Sequence, residues 1–388
     1  MQETFRLGHL AGIRVGVHWS VLVIFALIAF GLAQVRLPGV YPDRALWLYW
    51  SVGLVTAVVF FASLLAHELA HAIVARRNGV RVEGITLWLL GGVARLQDEA
   101  ASPSAELRIS GVGPLVSFLV GLGFGVVAVA IGWVIGPGLV LEAAAWLAAI
   151  NILLAIFNVI PAAPLDGGRL LRAFLWWRTG DRVRATLGAS TAGRIFGWTL
   201  VVLGLFLFLQ GVALSGIWLA IIGFFLISAA TAEGRHAEMR GVLAGIPVRE
   251  AMTPDPVTAP AETTIAEFLD GPLFRYRHSA FPVTRDGTLP LGMVCIHQIR
   301  NVPVGARSTT TLGDIMRPRD EIVTTSPDEP LTEVLTRMES GPDQRALVLD
   351  GESVVGILTP SDISRVVTWL TTVRAHARGR NHEEGRSG

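Results

Sequence analysis

The sequence predicts an all-α polytopic membrane domain, about six transmembrane helices with a short re-entrant β-hairpin, followed by a C-terminal α/β pair of repeats. Three observations predict it. Of 388 residues, 52% are hydrophobic and only 16% are charged, against roughly 25% charged in a soluble domain, and the deficit is concentrated in the first 230 residues or so. Within that stretch, apolar runs long enough to cross a bilayer recur about six times. From Val248 onward the composition is that of a soluble protein, and the chain repeats itself with a period of 64 residues: Gly292-Met293-Val294 returns as Gly356-Ile357-Leu358.

The spans fall at about 16–35, 46–75, 107–135, 139–161, 195–212 and 214–231, each near the roughly 20 residues a helix needs to cross the hydrocarbon. The first run lacks a strongly basic start and a clear small-x-small cleavage site, so it is read as a membrane helix and not a signal peptide. The last two are joined tightly around Gln210-Gly211. Arginine placement sets orientation, because the chain contains no lysine. One set of loops carries Arg6, Arg14, Arg76, Arg77, Arg169 and Arg172 among others, and the opposite set only Arg36 and Arg44. The first set is cytoplasmic by the positive-inside bias, which puts both termini in the cytoplasm.

Between the second and third spans, the segment from Val80 to Leu96 is too short to cross and return as two helices. Its β-branched and aromatic content suggests a hairpin with Gly91-Gly92 as its bend. In the repeats, Ala251-Met252-Thr253-Pro254 returns as Ile315-Met316-Arg317-Pro318, and each copy runs strand, helix, strand, strand, helix. Such a pair buries its apolar faces together. The polar tail after Arg374 is predicted to be disordered.

The chemistry centres on His67-Glu68-Leu69-Ala70-His71 in the second span. Histidines four apart share one helix face, so both imidazoles can reach one Zn²⁺. The Glu between them is placed to activate water. Ionisable groups at membrane depth are costly and are functional candidates by default. A catalytic zinc needs a third protein ligand and an open position. The second and fourth spans run in the same direction, and the fourth ends in Asn158-Val159-Ile160-Pro161-Ala162-Ala163-Pro164-Leu165-Asp166-Gly167-Gly168-Arg169. Asp166 therefore reaches the membrane level of His67 and His71. The lone Cys295 excludes an intramolecular disulfide and any cysteine-rich zinc site.

The two motifs together resemble the site-2 protease family of intramembrane zinc proteases over roughly residues 1–230. The repeats resemble a pair of CBS domains, which makes the chain similar to the bacterial subclass with a cytoplasmic CBS tail. The resemblance implies that His67, His71 and Asp166 ligate one Zn²⁺ per chain, with Glu68 as general base and then general acid. It implies that Asn158 lies near the scissile carbonyl, and that the Gly91-Gly92-Val93 hairpin offers an edge strand. A peptide bond must leave its helix to be cut, and strand addition satisfies the freed backbone groups. In the CBS family a Gly-x-x-Thr-x-x-Asp segment contacts a nucleotide's phosphate and ribose. Gly356 to Asp362 matches it in full, so Thr359 and Asp362 are candidate ligands for an adenine nucleotide. The first repeat has Cys295 and Gln298 where Thr and Asp would stand.

The expected organisation is a protease domain over 1–232, CBS domains over 245–304 and 309–372, and a tail over 373–388. The expected protein sits in the cell membrane, multi-pass, and cleaves a transmembrane protein near the cytoplasmic face in regulated intramembrane proteolysis. Its partners are that substrate, membrane lipid and a second copy through the CBS domains; the net charge of +1 gives no pull toward nucleic acid. The rival reading is a transporter or zinc sensor gated by its tail, and Glu68 discriminates, because a transporter needs ligands but no general base. His18 in the first span reads as interfacial or interhelical, with lining the site as the alternative.

Overall fold

The structure is a computed structural model that describes residues 4–88, 91–96, 100–271, 278–285, 289–341, 343–370 and 372. It divides into two compact units, Met1–Ala237 and Glu238–Gly388. The predicted tail over 373–388 lies outside the described residues.

The first unit opens with two strands that the sequence reading did not anticipate, β1 (Phe5–Leu10) and β2 (Ile13–Val17). The first span therefore starts later than predicted. It runs as α1 (Val21–Phe30), a π-helical segment (Gly31–Arg36) and α2 (Leu37–Val40). The second span is α3 (Leu46–Arg77). It stops where Asn78 Nδ2 bonds the Val74 carbonyl at 2.7 Å and Gly79 takes the left-handed conformation, φ +81°, the usual chemistry of a helix C-terminus. The hairpin follows as β3 (Val82–Trp88) and β4 (Gly91–Leu96), antiparallel, with Trp88 paired to Gly91. That register corrects the predicted bend: Gly91 and Gly92 open β4 and pair with Trp88 and Leu87. The sheet order is β1-β2-β3-β4, so β4 is an edge.

The helix α4 (Pro103–Val134) starts with Ser102 accepting from the Ala105 N–H and Pro103 in its first turn, a sequence-encoded N-terminus. After α5 (Leu139–Val159), a short turn leads to α6 (Asp166–Thr179), an amphipathic helix ended by left-handed Gly180. Asp181 then caps α7 (Arg182–Leu209), and α8 spans Ala213–Leu243. Among the described residues, six helical segments are long and apolar enough to cross a membrane. Their outward faces carry exposed Leu, Val, Phe and Trp, among them Leu122, Val126, Phe206 and Phe224, as a lipid-facing surface requires.

The second unit contains α9 (Val248–Ala251), β5 (Thr253–Pro254), β6 (Ala259–Pro260), α10 (Ile265–Asp270), β7 (Ala280–Thr284), β8 (Pro290–Cys295) and α11 (Ile296–Asn301). The second copy supplies α12 (Leu312–Ile315), β9 (Arg317–Pro318), β10 (Val323–Thr325), α13 (Leu331–Ser340), β11 (Ala346–Asp350), β12 (Ser353–Leu358) and a helix over 360–370. Two four-stranded sheets form, β6-β7-β8-β9 and β10-β11-β12-β5. The short strands are exchanged: β5 pairs with the second copy's β12, and β9 with the first copy's β8. Ala280, Met293, Cys295, Ile322, Leu347 and Ile357 form a buried cluster drawn from both copies, so neither repeat completes its core alone.

Candidate metal centre

The site forms where α3, α4 and α6 meet. His67 and His71 lie one turn apart on α3, and Asp166 is the first residue of α6. Their donor atoms form a nearly equilateral triangle: Nε2 to Nε2 is 3.1 Å, His71 Nε2 to Asp166 Oδ2 is 3.1 Å, and His67 Nε2 to the same oxygen is 3.2 Å. Zinc bonds of ~2.0–2.1 Å at tetrahedral angles separate ligand atoms by about 3.3 Å. The donor set therefore fits one face of a zinc tetrahedron and leaves the fourth position open.

Two partners on α4 orient the rings. The Ile109 carbonyl can only accept, so His71 Nδ1 carries the proton that joins them at 2.6 Å. This leaves the Nε2 lone pair of a neutral ring facing the other donors. His67 Nδ1 lies 2.9 Å from Ser117 Oγ, a fully buried hydroxyl. Between these contacts α4 has Gly113. A Cβ built there would collide with His71 Nε2 and with His67 Nε2. Glycine at this position leaves the space beside the two Nε2 atoms free.

The turn before Asp166 is equally constrained. A Cβ on Gly167 would overlap the Ile160 and Val159 carbonyls, and one on Gly168 would overlap the backbone of Ala162 and Ala163. The Gly pair lets α6 start directly against the chain that leads into it, which turns Asp166 back to the histidines. Glu68, half-buried, lies against the hairpin: a Cβ on Gly92 would collide with Glu68 Cγ and Cδ. Asn158 is half-buried in the last turn of α5, and none of the hydrogen bonds among the three donors involves it. His18 Nδ1 bonds Ser20 Oγ at 2.8 Å at the start of the first span, a local interaction.

Thr359 and Asp362 come together as a helix N-terminus. Asp362 is 2% exposed, and its Oδ2 accepts from Thr359 N at 2.9 Å and Thr359 Oγ at 2.6 Å. Its Oδ1 accepts from Thr253 Oγ at 2.9 Å and Arg365 Nη2 at 2.6 Å. In the first copy Cys295 and Gln298 build the same capping box, with Gln298 Oε1 accepting from Cys295 N at 2.7 Å. The two segments thus share a structural role that survives the change of residues.

Among the described residues a second group of metal-type ligands comprises Cys295, His297 and Asp343. Asp343 Oδ2 is already paired with Arg317 Nε at 2.6 Å, and burial pushes the Cys295 thiol up to about 11. A neutral thiol and a spoken-for carboxylate give a cation little to bind, and no metal is assigned there.

Comparison with known proteins agrees with the geometry. The model of peptidase family M50 matches residues 55–135 and 124–203, and that of the CBS domain matches 248–305 and 312–368. The chain is 47% identical over 369 residues to Rip3 of Mycobacterium tuberculosis, described as a zinc metalloprotease, covering 95% of this chain and 93% of that one. It is 30% identical to zinc metalloprotease MJ0392 of Methanocaldococcus jannaschii, covering 95% and 98%. A site-2 protease structure from the same archaeon aligns at 31% identity and a TM-score of 0.40, covering 60% of this chain and 95% of that one. Likeness of this extent to two metalloproteases runs through both units, and the M50 match takes in the part of α3 that carries His67 and His71 and the turn before α6. The chain therefore belongs to peptidase family M50, as a multi-pass membrane zinc metalloprotease of the site-2 protease type with a C-terminal pair of CBS domains.

Proposed function

We propose that this protease hydrolyses a peptide bond of a transmembrane protein near the cytoplasmic face, with His67, His71 and Asp166 holding the zinc. The observation that carries the reading is the triangle of three donors above Gly113, inside an apolar bundle, with Glu68 beside it. Zinc in that position supplies Lewis acidity toward the scissile carbonyl and lowers the pKa of water. Glu68 takes a proton from the attacking water and returns it to the departing amide nitrogen. Because β4 is a sheet edge and its Gly92 lies on Glu68, an extended substrate strand added to β4 would run past the donors. Asn158 ends a neighbouring helix and is assigned to the scissile carbonyl on the family resemblance. Both termini are cytoplasmic in this reading, from the arginine asymmetry. Domain limits of 1–232, 245–304 and 309–372 belong to the same reading.

The test compares membrane-protein profiles of cells carrying the wild type and Glu68→Gln. A fragment released only by the wild type supports the proposal. Identical profiles with a demonstrably folded variant sink it.

The CBS pair is proposed to bind an adenine nucleotide at the second copy and to mediate dimerisation. What supports the first is the full Gly356 to Asp362 segment beside an apolar cavity of about 310 Å³ lined by Leu335, Met338, Pro360, Ile363 and Val367. Asp362 already accepts four hydrogen bonds from three residues, so nucleotide hydroxyls would have to replace Arg365 or Thr253. Titration of the full-length protein in detergent with ATP, ADP and AMP decides it: saturable heat supports the site, and none with any of the three removes it.

A further inference from the structure

We infer that Arg172 is a positioning residue for the metal centre, holding Asp166 in register through a buried carboxylate on α4 and a second carboxylate on α8. The inference rests on the proposed ligand set. Arg172 lies on α6, six residues after Asp166. Its Nε donates to Glu106 Oε1 at 2.5 Å, its Nη2 reaches the same oxygen, and its Nη1 lies 3.4 Å from Glu233 Oε1. Glu106 is 3% exposed, and its second carboxylate oxygen has no hydrogen-bond partner.

Position makes this more than an ion pair. Glu106 sits one helical turn before Ile109, whose carbonyl fixes the His71 ring. The helix carrying Glu106 also supplies Ser117 to His67 and the empty space at Gly113. The helix carrying Arg172 begins with Asp166 and has only the Ile160–Leu165 turn behind it. One guanidinium thus ties the helix that orients both imidazoles to the helix that delivers the carboxylate. Arginine suits the task because its planar fork fixes direction as well as charge. Glu233 extends the tie to the last membrane helix, ten residues before that helix ends at Leu243.

A buried carboxylate left without its cation destabilises a fold whatever its function, so a single Arg172 deletion cannot separate gluing from positioning. The informative variant is Glu106→Leu with Arg172→Leu, which removes both charges and fills the space with apolar atoms. Such replacements of buried pairs are often neutral for stability. Loss of an outer-shell partner typically weakens a metal site ~10–100-fold. The experiment measures three things in purified protein: thermal unfolding, zinc affinity by chelator competition, and the visible spectrum of the Co²⁺-substituted form. The double variant is expected to unfold near the wild-type temperature, to bind zinc at least about tenfold more weakly, and to show altered cobalt bands. Arg172→Lys, which keeps the charge and loses the fork, is expected to fold and to fall between the two in zinc affinity; it serves as the test should the double variant not fold. Wild-type zinc affinity and cobalt spectrum in either folded variant overturn the inference. Asp166→Ala runs in parallel. If it loses zinc while the charge variants do not, only the positioning role fails. If it keeps wild-type zinc affinity, the ligand assignment fails, and this inference with it.

Discussion

Gly113→Ala adds one methyl group at the point where the site has no room for it. The built Cβ falls on the Nε2 atoms of both His71 and His67, the two nitrogens proposed to face the metal. Relief needs either a separation of α3 from α4 or rotation of the rings. Rotating His71 breaks its 2.6 Å bond to the Ile109 carbonyl, and rotating His67 breaks the 2.9 Å contact with Ser117. Either motion also opens the 3.1 Å donor triangle. Overpacking of this kind costs about 1–3 kcal/mol, and lost orientation costs a further ~10–100-fold in affinity. We expect zinc binding to fall by about a hundredfold or more, equivalent to ~2.7 kcal/mol, with the helices still formed. Gly111→Ala is the control on the same helix, because its Cβ would meet only Leu170 Cδ2 at 3.7 Å. Metal analysis after dialysis against a graded chelator series reads the difference. A Gly113→Ala protein that holds zinc as tightly as Gly111→Ala would refute the assignment of this space to the metal.

Other outcomes follow from the same geometry. Glu68→Gln should keep its zinc and lose proteolysis by roughly 10²–10⁴-fold, the usual contribution of a general base; substantial turnover on a cleaved substrate would remove Glu68 from that role. His67→Ala and Asp166→Ala should each come off purification without stoichiometric zinc, which elemental analysis reads directly. Cys295 should resist alkylation. With its thiol near 11, about one molecule in a thousand is thiolate at pH 8, against roughly a quarter for an ordinary cysteine. The folded protein should therefore react at least about a hundredfold more slowly than the same protein in denaturant, and equal rates would show the site open.

Much of this was legible in the residues, for identifiable reasons. Histidines four apart must share a helix face, and span parity alone brought Asp166 to their level; the structure places the three within hydrogen-bond distance. Apolar runs gave the six long helices. The missed features depend on contacts between elements. β1 has no buried position at all, so no alternation of burial stamps it as a strand; it exists because β2 pairs with it and with β3. Gly113 and Ser117 look like ordinary small residues of a packed membrane helix until α4 is laid against α3. Arg172 reads as one more basic residue of a cytoplasmic loop, and only the fold pairs it with Glu106, 66 positions away in the chain. Gly-x-x-Thr-x-x-Asp reads as a ligand motif, yet its carboxylate is engaged in capping a helix. The strand exchange between repeats is likewise invisible in a period that describes each copy by itself.

The central claim is that Glu68 and the three donors cut a peptide bond at membrane depth on the cytoplasmic side. Mapping the new termini of released fragments by mass spectrometry, in membranes containing wild type or zinc-loaded Glu68→Gln, tests it most directly. The account predicts termini inside the cytoplasmic half of a substrate's transmembrane segment, present with the wild type and absent with the variant. Cuts confined to soluble loops, or the same termini from both proteins, would contradict it.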